Sequence, residues 1–113
     1  MKLPNSKNAI ISKKKLTDYL LSLTHEKGKS KAKFFRGIGF NETNLEELKA
    51  ALLKIGKSKS VIKVDKTKSN YVIKYVIDGF VESPNGKRYK IRTVWAIKLD
   101  SKIPRFITAV PGV

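Results

Sequence analysis

The 113-residue sequence has no cysteine, one histidine, one methionine and one tryptophan. Without cysteine there is no disulfide framework and no thiolate metal site. A single histidine leaves too few ligands for the usual zinc sites. Acids are scarce: 9 Asp and Glu stand against 25 Lys and Arg. These acids scatter over one predicted helix and the turns, which disfavours a two-metal nuclease centre, and no cofactor or metal is expected. There is no Gly-rich phosphate loop with a following lysine. "GIGF" at 37–40 follows no strand, so it is not a dinucleotide fingerprint. No apolar run approaches the ~18 residues of a membrane span. "MKLPNSKNAIISKKK" lacks the apolar core of a signal peptide. A cytoplasmic protein is expected.

What is present is positive charge, formally +16. A lysine-rich host composition accounts for lysine over arginine, but not for so few acids. A field of this sign attracts polyanions and releases their counterions. Nucleic acid or an acidic protein is the expected partner.

Hydrophobic residues, 41% of the chain, suffice for one modest core. One domain is expected over 1–113, with a helical part at about 12–56 and a sheet part at about 60–111. Leu16, Tyr19, Leu20 and Leu23 fall at helical spacing within 12–23. A short helix is predicted at 29–38. A third carries Leu45, Leu48, Leu52 and Ile55 on one stripe, with Asn44 and Glu47 as a capping-box variant and Gly56 just past its end. Beyond residue 60, "SVIKVD", "NYVIKYVIDGFV", "YKIRTVWAIKL" and "RFITAV" are rich in β-branched and aromatic residues. Asn85-Gly86 marks a hairpin tip. The fold class is α+β, with N-terminal helices packed on a roughly four-stranded antiparallel meander.

"HEKGKSKAKFF" at 25–35 concentrates the candidate chemistry. On a helical wheel Lys29, Lys33 and Arg36 share a solvated side. Lys31 falls among Ala32, Phe34, Phe35 and Ile38, where an ammonium needs a crevice or a partner; snorkelling along a phenylalanine is the plainer alternative. His25 precedes this helix. Cations around it favour the neutral imidazole that a general base requires, and the helix start favours an anion. In "KIRTVWAIK" strand alternation places Thr93 and Trp95 with Ile91 and Ile97, and Arg92 on the other face. Trp95 reads first as core. Thr93 is a polar group on an apolar face, and Thr108 is a weaker case of the same kind. If that face lines a cleft, Thr93 can bind a phosphate and Trp95 can stack on a base.

"MKLPN", "HEKGKSKAKFF" with "IGF", "GKRYKIRTVWAI" and "PRFITAVP" resemble a family of small bacterial toxin-type domains. The order of helices then sheet is similar to the barnase–EndoU–colicin–RelE group of ribonuclease folds. "KSKAKFFRGIGF" resembles the basic helix region of colicin D-like tRNA nucleases, and Thr93-Val94-Trp95 resembles their Ser-x-Trp element. The resembled pattern carries its histidine within the lysine cluster. Here Ser30 and Ala32 hold those positions, and His25 stands six residues before Lys31. The resemblance implies a metal-independent endoribonuclease toxin, cutting tRNA through a 2′,3′-cyclic phosphate. It implies catalytic roles for His25, as general base or acid, and for Lys31, Thr93 and Arg92, RNA contacts from Lys29, Lys33, Trp95 and Thr108, and an acidic antitoxin or immunity protein. Two other classes fit the charge: a non-catalytic nucleic-acid-binding module, and a basic protein that docks an acidic partner.

Overall fold

The computed structural model describes residues 1–66 and 71–112. The helices precede the sheet in sequence, and the fold is α+β. Helix α1, Lys13–Lys15, starts at Ser12, whose side chain accepts from the Lys15 N–H. It runs on as a π-type turn, Leu16–Leu20, in which the Leu21 N–H reaches the Leu16 carbonyl at 2.8 Å. A π turn takes up one extra residue. Leu16, Leu20 and Leu21 are therefore buried together, whereas Leu23 is left exposed. The helix predicted to run to Leu23 ends sooner for this reason.

Helix α2, Lys29–Gly37, buries Ala32 and Phe35. Arg36 is not merely solvated. Its Nε donates to the Leu21 carbonyl at 2.8 Å, and its guanidinium pairs with Glu42. It ties α2 to the end of the preceding helical turn. Helix α3, Leu45–Ser58, buries the predicted stripe of Leu45, Leu48, Leu52 and Ile55. The capping box lies one turn earlier than expected, between Asn41 and Asn44. Gly56 is inside the helix, not past its end. A Cβ there would sit 2.5 Å from Trp95 Cζ2, so the helix needs glycine to lie against the indole.

Four strands follow: β1 (Val61–Asp65), β2 (Val72–Glu82), β3 (Arg88–Lys98) and β4 (Arg105–Pro111). They form one antiparallel sheet in the order β1-β2-β3-β4. The strand read as starting at Asn70 has its first residue outside the described set. Alternation holds along β2 and β3. Tyr75, Ile77 and Val81 face the helices opposite Trp95, Thr93 and Tyr89, while Lys74, Val76, Asp78 and Phe80 face outward. The β3–β4 register slips between Val94 and Trp95. The core lies between this inner face and the three helices, with Trp95, Phe35, Phe40 and Leu16 among its largest buried members. Among the described residues, no helix covers the outer face. Among the described residues, no helix is long and apolar enough to cross a membrane.

Candidate functional site

Tyr19 is the hub of the basic segment. It sits in the π turn, one position from the buried Leu20. Its hydroxyl lies 2.9 Å from Thr108 Oγ1 on β4. The Lys15 and Lys31 ammonium groups stand 4.7 and 5.3 Å from the centre of its ring. The His25 ring meets it edge-on, with centroids 5.0 Å apart. Gly28 allows this assembly. A Cβ at that position would fall 2.2 Å from the Tyr19 carbonyl oxygen, so only glycine lets the start of α2 approach the turn so closely.

Two local contacts fix the neighbours of Tyr19. His25 Nδ1 accepts from the backbone N–H groups of Lys27 and Gly28, at 3.1 and 3.0 Å. A nitrogen facing two donors carries no proton, so the neutral ring holds its hydrogen on Nε2. His25 is thus set up as a hydrogen-bond donor. Of the general base or acid roles expected for His25, this arrangement favours a donor over a base, because Nδ1 already accepts two backbone N–H groups. Lys31 Nζ donates to the Lys27 carbonyl at 3.1 Å, and the side chain is half-buried over the Tyr19 ring. This is the crevice that its place on the apolar arc demands.

The surroundings act on the phenol. Burial alone raises its pKa. The hydrogen bond with Thr108 and the ammonium groups of Lys31 and Lys15 outweigh burial, and the Tyr19 hydroxyl ionises below the ordinary tyrosine value. The unfolded chain therefore binds one more proton than the folded chain between the lowered value and about 10. Stability should rise with pH across that window, and this increment should be lost as pH falls through the native value. Urea titrations of wild type and Tyr19→Phe from pH 8 to pH 10 check this. The rise should be smaller in the variant, and equal rises would count against the lowered value.

The other predicted site residues are dispersed. Lys29 and Lys33 are exposed on α2. Arg92 lies on the outer face of the sheet, where its guanidinium makes a two-pronged pair with Asp78 at 2.9 and 3.1 Å. Thr93 and Trp95 are both fully buried. Thr93 Oγ1 donates to the Ile77 carbonyl at 2.7 Å and accepts from Trp95 Nε1 at 2.8 Å. Their polar atoms satisfy each other, and Phe106 covers the indole edge-on. In place of a phosphate and a base, these two residues hold one another inside the core. Thr93→Val should cost about 1–3 kcal/mol, because it strands the buried indole N–H. Denaturant melts should show Thr93→Ser costing less. A Val variant as stable as the Ser variant would contradict the pairing. Tyr19 and Lys15 were not singled out by the sequence, because Tyr19 reads as one more member of an apolar stripe. Among the described residues, no three His, Cys, Asp or Glu side chains group as a metal site.

Residues 2–113 match the family described as Domain of unknown function (DUF6883). The chain belongs to the DUF6883 family. A comparison with curated proteins finds no match. Among solved structures, this DUF6883 chain is similar to a chain of the contact-dependent growth inhibition toxin–immunity protein complex from Klebsiella pneumoniae 342. The TM-score is 0.68 at 18% identity, over 96% of this chain and 97% of that chain. The likeness is one of fold over essentially the whole length.

Proposed function

We propose that this chain is a metal-independent endoribonuclease and the toxic member of a toxin–inhibitor pair. The observation that carries the reading is Tyr19, a phenol with a lowered pKa held by Thr108 between two lysines and beside a histidine with a fixed tautomer. The similar fold in a toxin–immunity complex supports the toxin part. A charge of +16 favours the nuclease side of such a pair over the inhibitor side.

The chemistry needs a base for the ribose 2′-hydroxyl and cations for the charge that grows on phosphorus. Tyr19, as phenolate, takes the 2′-hydroxyl proton. The 2′-oxygen bonds to phosphorus, the bond from phosphorus to the 5′-oxygen breaks, and the departing oxygen takes a proton from water. The products are a 2′,3′-cyclic phosphate and a free 5′-hydroxyl. Lys31 stabilises the equatorial oxygens, and His25 donates to them from Nε2. Lys29 and Lys33 guide the RNA backbone along α2. The proposed substrate is tRNA, and the proposed inhibitor is an acidic immunity protein or antitoxin.

Induced expression of the chain in a bacterial host without an inhibitor tests this reading. Growth arrest should coincide with discrete tRNA fragments. Arrest or normal growth with intact RNA would contradict it. His25→Asn keeps an acceptor for the Lys27 and Gly28 N–H groups and removes the ring donor. It should slow cleavage by roughly 10²–10³-fold with no loss of fold, the effect of removing one charge-stabilising donor. Unchanged rates in the purified variant would remove His25 from the site.

A further inference from the structure

The outer face of the sheet holds a concavity of about 420 Å³, lined in part by β4, the strand that carries Thr108. Its floor is aliphatic, built from Val72, Ala96 and Ile107. Lys74, Lys98 and Arg105 stand around the floor, and Asp65 is the one acid among the lining residues. The sheet register brings these together: Val72 pairs with Lys98, Lys74 with Ala96, and Ala96 in turn with Arg105. The volume lies in the range of pockets that enclose a small organic group, about 300–1,000 Å³.

The position of the concavity matters more than its size. β4 runs from Arg105 and Ile107, which line it, directly into Thr108, whose hydroxyl meets Tyr19. Arg105 to Thr108 spans about 10 Å at roughly 3.4 Å per strand residue. The slip in the β3–β4 register falls within this stretch, between Val94 and Trp95. One edge strand thus links an apolar hollow ringed by three cations to the hydroxyl pair at the candidate site.

We infer that this hollow is a substrate subsite, which takes a nucleotide of single-stranded RNA next to the scissile phosphate. This rests on the ribonuclease reading above. The aliphatic floor packs against the flat of a base or ribose. Lys74, Lys98 and Arg105 hold the phosphates that flank it. Three cations against one acid match an RNA backbone, and β4 connects the hollow to Thr108, the partner of Tyr19.

The test uses the folded chain and a fluorescein-labelled single-stranded RNA in EDTA. Two triple variants remove the same number of charges. One is Lys74→Ala with Lys98→Ala and Arg105→Ala. The other removes Lys7, Lys14 and Lys57, which are exposed elsewhere. Anisotropy should show RNA affinity about 10–100-fold weaker in the first, with the slope of log K on log salt smaller by about 2, at roughly 0.7 per lost contact on a single strand. The second should bind close to wild type. In cleavage assays the first triple should raise KM and leave kcat at saturation unchanged. Equal losses in both triples would overturn the subsite and leave a general field effect. Intact RNA affinity in the first triple, with lost affinity for poly-glutamate, would also overturn it and assign the face to an acidic protein. If the wild type binds through this face but cleaves no RNA, the ribonuclease reading fails while the binding surface stands.

Discussion

Tyr19→Phe should lower RNA cleavage by roughly 10²–10⁴-fold, the usual contribution of a positioned acid–base group. It should leave the fold intact, because the ring and its packing are kept. The hydroxyl lost is the one held 2.9 Å from Thr108 Oγ1. The pH dependence identifies the role. A base acts when deprotonated, so the wild-type rate should climb as pH rises and level off below the ordinary tyrosine range, since the Tyr19 pKa is lowered. The variant should lose that climb. A profile centred on the histidine range and unchanged by Tyr19→Phe would shift the proton transfer to another group. Stopped assays on a defined RNA from pH 6 to pH 10 distinguish the two.

Lys31→Met should cost about 10²–10³-fold in kcat, the scale of losing one preorganised charge at the reacting group. Methionine keeps much of the unbranched stem over the Tyr19 ring and removes the ammonium. The same change should raise the Tyr19 pKa toward its ordinary value, because Lys31 is one of the influences that lower it. The two effects are coupled. The rate should fall, and the remaining pH climb should move to higher pH. Ultraviolet titration of the tyrosines, with Tyr19→Phe to identify the component, reads the second effect directly. A fall in rate with no movement of that component would mean that Lys31 acts on the substrate alone. No fall in either would remove it from the site.

The fold was legible where pattern and period agree. The four strands, the hairpin at Asn85-Gly86 and the α3 stripe follow from alternation and helical spacing. The inward set of Ile91, Thr93 and Trp95 follows from the same period of two. Misreadings came where a residue's reason lies far away in the chain. Gly56 looks like a helix terminator until Trp95 is seen against it. Thr93 looks like a spare polar group, yet its partners are Trp95 two residues on and Ile77 sixteen residues back. Arg36 looks solvated until Leu21 and Glu42 fold around its guanidinium.

The candidate site was half legible. Lys31 on the apolar arc and His25 at the helix start point to one corner of the molecule, and the structure gathers both, with Thr108, around Tyr19. Tyr19 itself was hidden because amphipathic spacing treats a tyrosine as an apolar residue. Its partner Thr108 is 89 positions away, and only the β4 edge brings them together. A sequence signal did exist. Lys15 and Tyr19 are four apart on one helical turn, which places a cation against the one stripe member that has a hydroxyl.

The most direct measurement is incubation of the purified chain with total tRNA in excess EDTA, followed by mapping of the new ends. Fragments with 2′,3′-cyclic phosphate and 5′-hydroxyl ends, absent with Tyr19→Phe, are the predicted result. Intact tRNA with folded, inhibitor-free protein, or fragments that form equally with Tyr19→Phe, would contradict the account.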